Sequence, residues 1–299
     1  MNIKELITNI PRNYLTKWMY SRPDVMSPED TIKYIKNNNV SVSRFGDGEV
    51  IFMSGLDLNF QKHDKKLADK MRVVRSTEKC LVCIPNIFHK SFFSKQKIKS
   101  DEYVFWKKNL IKHEYRYKKL FGKMTPLGDA FITRFYMRYN DKSIEKNKTY
   151  VKLLKTMWNN RNVVFIEGEN SRLGYGNDLF DNANSIRRML CPAKNAFEVY
   201  DKIMDCIKNK CNKEDLLILA LGPTATAMAF ELSEMGYQAL DLGHIDIEYE
   251  WFLLGVDHKV AIPHKHVNEC GSMGETEESK LDEIYKKQII DRIGLKNKE

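Results

Sequence analysis

Asp215-Leu-Leu-Ile-Leu-Ala-Leu221, then Gly222-Pro223, then Thr224-Ala-Thr-Ala-Met-Ala-Phe-Glu-Leu-Ser-Glu-Met235, then Gly236 and Tyr237-Gln-Ala-Leu-Asp-Leu242 decide the fold. An apolar run of strand length meets a turn, a helix-length segment follows, and a second apolar run comes after a glycine stop. Strands of continuous apolar character, joined by helices of ten or more residues, are buried on both faces, and this is the mark of βαβ units. The same alternation extends outward in both directions. Residues 40–45 read as a strand ending at Gly46, 49–54 and 65–74 as helices, 79–84 as a strand, and 131–135 as another. The aromatic, basic stretch 87–117 is helical from Asp101 onward. Residues 162–166 form a strand leading into a glycine-rich loop, 197–208 a helix, and 247–254 a helix. The fold class is therefore α/β, Rossmann-like, with a mainly parallel sheet flanked by helices. The charged stretch 139–148 is the best boundary between two halves.

The composition bounds the function. In 299 residues, 42% are hydrophobic and 30% charged, with 15 Gly and 8 Pro, which excludes a disordered or collagen-like chain. Lys and Arg number 49 against 40 Asp and Glu, a net charge of +9 that points to an anionic partner. No run reaches the ~18 apolar residues of a membrane span, and the N-terminus lacks a secretory pattern. Ile3, Leu6, Ile7 and Ile10 repeat at helical spacing among Lys4, Arg12 and Lys17, so residues 1–39 read as a helical segment that packs on its own domain or lies on an anionic membrane surface. Six cysteines are too few for a disulfide scaffold, and Cys80-Leu-Val-Cys83 reads as buried strand. The expected compartment is the cytoplasm, with peripheral contact at the inner membrane face. Residues 263–299 form a charged tail, with a last helix over 279–293.

Ligands of open α/β sheets bind beyond the carboxyl ends of the strands, and four polar or glycine-rich segments fall there. In Arg44-Phe-Gly-Asp47-Gly-Glu49, two carboxylates at i and i+2 form a half-shell for Mg²⁺ or Mn²⁺, and Arg44 is available to a phosphate; equally, Asp47 and Glu49 suit an ordinary helix cap. Glu167-Gly168-Glu-Asn-Ser171-Arg172-Leu-Gly174-Tyr-Gly176-Asn177-Asp178 offers glycines for close backbone approach, an Arg fork and neutral donors from Ser171 and Asn177. Gly222-Pro-Thr224-Ala-Thr226 opens a helix with free amides, an anion site that Thr224 or Thr226 can also cap. Gly243-His244-Ile-Asp246-Ile-Glu248-Tyr-Glu250-Trp251 places a titratable group at every second residue, suiting metal ligation or base catalysis. His258, His264, His266 and Cys270 fit no standard zinc spacing and read as a solvated loop.

These four motifs in this order resemble the GT-D-type glycosyltransferases of bacterial surface-glycan and adhesin glycosylation, over residues 40–269. The resemblance implies a 40–262 catalytic domain, a nucleotide-sugar donor (a UDP-hexose), Mn²⁺ or Mg²⁺, and a glycan, glycolipid or glycoprotein acceptor. It places the family's carboxylate pair on Asp47 and Glu49; His244, by its chemistry, is a candidate further ligand or base. Contacts to nucleotide or diphosphate fall on Arg44, Gly168, Ser171, Arg172, Gly174, Gly176, Asn177, Gly222 and Thr224. Asp246 and Glu248 are the candidates to orient or deprotonate the acceptor hydroxyl. Competing readings are a metal-dependent nucleotide phosphohydrolase and a basic nucleic-acid-binding protein, the latter resting on the charge and on Arg116, Lys118 and Lys119 among Tyr115 and Tyr117. Without a recognisable nucleic-acid module, no nucleic acid is expected.

Overall fold

The computed structural model describes residues 21–88, 97–267, 270–272 and 280–295, so the amphipathic pattern at residues 3–10 lies outside the described residues. Eight strands form one wholly parallel sheet in the order β10-β5-β4-β6-β7-β1-β2-β3. They are β1 (Ser41–Arg44), β2 (Cys80–Ile84), β3 (Gly128–Asp129), β4 (Asn162–Gly168), β5 (Ser185–Cys191), β6 (Leu216–Ala220), β7 (Gln238–Asp241) and β10 (Ile289–Arg292). A separate antiparallel pair, β8 (His266–Val267) and β9 (Gly271–Ser272), stands apart. The nine helices described are α1 (Pro28–Asn38), α2 (Asp47–Phe52), α3 (Lys65–Arg72), α4 (Ser100–Phe121), α5 (Ile144–Lys155), α6 (Tyr200–Lys210), α7 (Pro223–Glu234), α8 (Ile245–Leu254) and α9 (Lys280–Gln288).

Both sheet faces are covered, as the apolar strands require. Along β4, Val163 and Phe165 face a core shared with α1, α5 and α8, whereas Val164 and Ile166 face α6 and α7. A third apolar cluster joins α2, α3 and α4 to Val82 and Ile84. The stretch 139–148 separates no two sheets: strands from both sides of it lie in one sheet and share one core. Residues 131–135 are not a strand. Ala130–Thr133 is a single 3₁₀ turn, because Asp129 caps it at Phe131 N and the paired strand stops at Asp129. The terminal helix ends at Gln288, and the β-branched Ile289 and Ile290 continue as strand β10 beside β5.

Cys80 and Cys83 are buried free thiols inside β2, as the apolar context indicated. Tyr117 and Lys118 are buried within α4, Lys118 paired to Glu114 at 3.0 Å, so the basic-aromatic segment does not present a continuous face to a polyanion. No helix among the described residues is long and apolar enough to cross a membrane.

The connections position the site. From β4 the chain runs outward to β5, while from β6 it runs the opposite way to β7. A crevice opens where connections diverge, here between the carboxyl ends of β4 and β6.

Candidate active site

At the end of β1, Gly46 begins α2, and Glu49 Oε2 accepts from Gly46 N at 2.8 Å. Helix capping and cleft exposure therefore coexist: Asp47 and Glu49 both line the cavity. Burial raises the pKa of Asp47. Burial, with the charges of Asp241 and Asp47 adding to it, raises Glu49 to about 7. Arg44 is spoken for by protein. Nε donates to Asp241 O at 2.6 Å, Nη1 to Thr133 Oγ1 at 2.5 Å and Ala130 O at 3.4 Å, and Nη2 to Gly243 O at 2.9 Å and Asp241 Oδ1 at 3.2 Å. These five N–H groups tie β1, β7 and the 3₁₀ turn together, so Arg44 organises the cleft wall and has no fork left over for a phosphate.

The β4 and β6 ends build the crevice. Gly168, Asn170, Ser171 and Leu173 line it on one side, and Ala220, Leu221 and Gly222 on the other. Gly222 has φ +56°, and a Cβ there would stand 2.5 Å from the Phe60 ring. Neither threonine caps α7: Gly222 is its N-cap without a side-chain bond, Thr224 lies buried near Gln61, and Thr226 Oγ1 donates to Arg44 O at 2.9 Å. The turn thus has no side-chain cap, but Pro223 carries no N–H, Ala225 N donates to Gly222 O at 2.9 Å, and it is the Gly222 backbone that reaches the cleft. Arg172, Gly174, Gly176, Asn177 and Thr224 are not cleft-lining. Arg172 turns to Asp282 at 3.5 Å, and Asn177 Nδ2 donates to Asp246 and Glu250, at 2.7 Å each.

At the β7 end, His244 takes a left-handed conformation (φ 79°) at the N-cap position of α8, without a side-chain capping bond. Its ring packs edge-on against Trp251 at 5.4 Å. Burial, reinforced by the positive charges of Arg134, Lys259 and Arg44, holds its pKa well below the ordinary value, so the imidazole is neutral. Asp246 is fully buried and both its oxygens are engaged, Oδ2 by Lys265 Nζ at 2.6 Å and Oδ1 by Asn177 Nδ2 at 2.7 Å and Gly174 N at 3.0 Å. Glu248 Oε2 accepts from Met137 N at 2.8 Å and Tyr136 N at 3.0 Å, while Oε1 lies 4.0 Å from Arg134 Nη1. Burial raises the Glu248 pKa.

One cavity of about 750 Å³ collects Arg44, Asp47, Glu49, Gly168, Ser171, Gly222, His244, Asp246 and Glu248. It also takes in residues that the sequence reading missed: Phe60, Glu102, Phe105, Arg134, Arg138, Asp241 and Lys259. Arg134 lies inside the segment read as a strand, where a charged residue amid apolar ones was the available signal. Lys265, buried between Asp246 and Glu250 at 2.6 Å from each, left no local signature. The candidate zinc residues do not assemble: among the described residues no three His, Cys, Asp or Glu side chains are grouped to hold a metal.

A wholly parallel sheet covered on both faces, with a carboxylate-lined cleft beyond its strand ends, defines an α/β protein whose candidate site lies at the switch point. The family model described as the glycosyltransferase GT-D fold matches residues 42–270, and the chain belongs to that family. It is 37% identical over 286 residues to "Glycosyltransferase GlyD" of Streptococcus pneumoniae serotype 4, an alignment covering 93% of this chain and 34% of that protein. It thus spans about a third of the length of that curated relative. Among solved structures, one described as domain of unknown function 1792 with a distinct glycosyltransferase fold superposes with a TM-score of 0.83 at 36% identity, covering 91% of this chain and 96% of the other. A second, a glycosyltransferase from Streptococcus sanguinis, gives 0.82 at 33% identity, covering 91% and 100%.

Proposed function

We propose that this glycosyltransferase moves a hexose from a UDP-linked donor to a glycan or glycoprotein acceptor, and that it needs a divalent cation. The observation that carries the reading is the joint presence, in one cleft, of the Asp47–Glu49 pair and the glycine backbone of Gly168 and Gly222 at the β4–β6 crevice. Asp47 and Glu49 bring two carboxylates to one cavity, part of an ion's shell, and burial raises the pKa of both, the charges of Asp241 and Asp47 adding to it at Glu49. Hard oxygen donors carrying excess negative charge are what Mn²⁺ or Mg²⁺ binds, with phosphate oxygens and water completing the shell. Asp47 and Glu49 would hold the ion, with the neutral His244 as a further candidate. When bound, it supplies positive charge against the departing diphosphate.

The chain's own groups do the rest. Backbone around Gly168–Ser171 and at Gly222 cradles the diphosphate. Glu248 Oε1, whose sister oxygen is committed to the Tyr136 and Met137 amides, takes the acceptor hydroxyl proton, and burial, by raising its pKa, makes it a stronger base. Asp246 positions the glycine-rich loop through Gly174 and Asn177. All six cysteines are free thiols, which suits a cytoplasmic setting.

The test is a thermal-shift panel of nucleotide-sugars with and without Mn²⁺, since a native-state ligand raises the melting point by mass action. A UDP-hexose should stand out, only with metal. Asp47→Ala and Glu49→Ala should abolish turnover while melting near wild type. Full activity in EDTA would sink the proposal.

A further inference from the structure

Helix α9 grips the back of the glycine-rich loop, although it lies beyond residue 270, where the family match ends. Asp282 Oδ1 accepts from Tyr175 OH at 3.0 Å and stands 3.5 Å from Arg172 Nη1. One helical turn on, the Tyr285 ring meets Tyr175 edge-on at 5.8 Å. The same ring lies 5.3 Å from the Arg172 guanidinium and 4.5 Å from that of Arg188. Gln288 Oε1 accepts from Arg188 Nε at 2.7 Å, and Arg188 in turn holds Leu173 O at 2.8 Å. One face of α9 therefore contacts the loop at Arg172 and Tyr175 directly and at Leu173 through Arg188. The loop's opposite face, Gly168, Asn170, Ser171 and Leu173, lines the cleft.

The contacts are charge-matched: both guanidiniums lie near the Tyr285 ring, Asp282 answers Arg172 at 3.5 Å, and Glu167 answers Arg188 at 2.6 Å. Removing Asp282 takes away both the acceptor of Tyr175 OH and the charge facing Arg172, whereas Arg188 on strand β5 keeps Glu167, so the loss falls on the loop rather than on the strand.

We infer that Asp282 and Tyr285 are positioning residues for the donor-binding face of loop 168–176, so that α9 is a working part of the transferase. The inference rests on the reading of that face as the diphosphate cradle.

The experiment uses the full chain with Mn²⁺ and UDP, comparing Asp282→Ala, Tyr285→Ala, Asp282→Asn and Tyr285→Phe. UDP affinity is read by calorimetry, and amide exchange is followed in residues 168–177 and in β6. The alanine variants should weaken UDP about tenfold or more, the order of one lost hydrogen bond to a charged ligand, and should speed exchange in the loop but not in β6. Tyr285→Phe should leave both readings unchanged, because the Tyr285 hydroxyl has no hydrogen-bond partner among the described residues. If the alanine variants fail to fold, Asp282→Asn, which keeps an acceptor for Tyr175 but not the charge facing Arg172, must show the same loop-confined loosening. Unchanged affinity and exchange in a folded variant overturns the inference. So does simultaneous loosening of loop and β6, which would make α9 a support of the whole fold. If the wild type binds no UDP, the donor reading falls, and exchange alone decides whether α9 holds the loop.

Discussion

Arg188→Met should be among the most damaging single changes in this protein, and more damaging at pH 8 than at pH 5. Arg188 Nη1 and Glu167 Oε1 lie 2.6 Å apart, with side chains 3% and 0% exposed. Glu167 Oε2 also accepts from Leu173 N at 2.7 Å. Removing the cation strands a carboxylate in the interior, which costs about 3–5 kcal/mol. Burial already raises the Glu167 pKa, and the Arg188 charge is the largest opposing influence. Without it the pKa rises further. The native state then holds a proton that the unfolded chain, with a pKa of about 4.3, releases. Stability therefore falls as pH climbs above that value, by up to about 1.4 kcal/mol per unit, until the native pKa is passed. Adding Glu167→Gln removes the stranded charge and keeps an acceptor for Leu173 N, so the double variant should cost at least about 2 kcal/mol less than the two single losses summed. Urea unfolding of the four proteins at pH 5 and pH 8 gives the cycle. A loss under about 1 kcal/mol for Arg188→Met, equal at both pH values, would refute the reasoning.

Gly222→Ala should cost about 1–3 kcal/mol from backbone strain, with further loss from the 2.5 Å approach to Phe60; Phe60→Ala should restore only that second share in thermal unfolding, and full restoration would contradict the strain argument. Asp129 is buried and its pKa is raised to about 7, so between about pH 4 and 7 the native state keeps a proton the unfolded state has lost and stability declines as pH rises. Asp129→Asn retains the acceptor for Phe131 N, at 2.8 Å in the wild type, and should flatten that part of the urea-midpoint profile; an unaltered slope counts against it. Lys265→Met leaves Asp246 and Glu250 without their shared cation and should cost about 3–5 kcal/mol, less when combined with Asp246→Asn; simple additivity would show that the groups are not coupled.

The β6–α7–β7 core was legible because buried parallel strands must be apolar and a glycine must end the helix. Strand β5 was not, since Ser185-Ile-Arg-Arg-Met-Leu-Cys191 carries two charges in mid-strand. Arg187 reaches Asp215 and Arg188 reaches Glu167, at 2.6 Å each, and no local pattern announces partners 21 or more residues away. The carboxylate pair and the glycine-rich turns could be read locally because strand ends concentrate them. Arg44 and Arg172 could not be apportioned between ligand and protein, since their acceptors come from remote segments such as Gly243 and Asp282. Phe131–Phe135 mimicked a strand in composition, but an Asp cap and the Arg44 bonds turned its start into a 3₁₀ helix.

The place of β1 in the sheet has a consequence for the chain during its synthesis. β1 pairs with β2 on one side, but its other neighbour is β7, with Val42 opposite Leu240. At about 5–20 residues per second, a ribosome takes roughly 5–20 s to make the stretch from β3 to β7. Throughout that interval the β1-β2-β3 unit carries an open, unpaired edge at β1. The segment up to β3 is therefore the part of the nascent protein that needs protection from other strands, until β7 emerges and closes the gap.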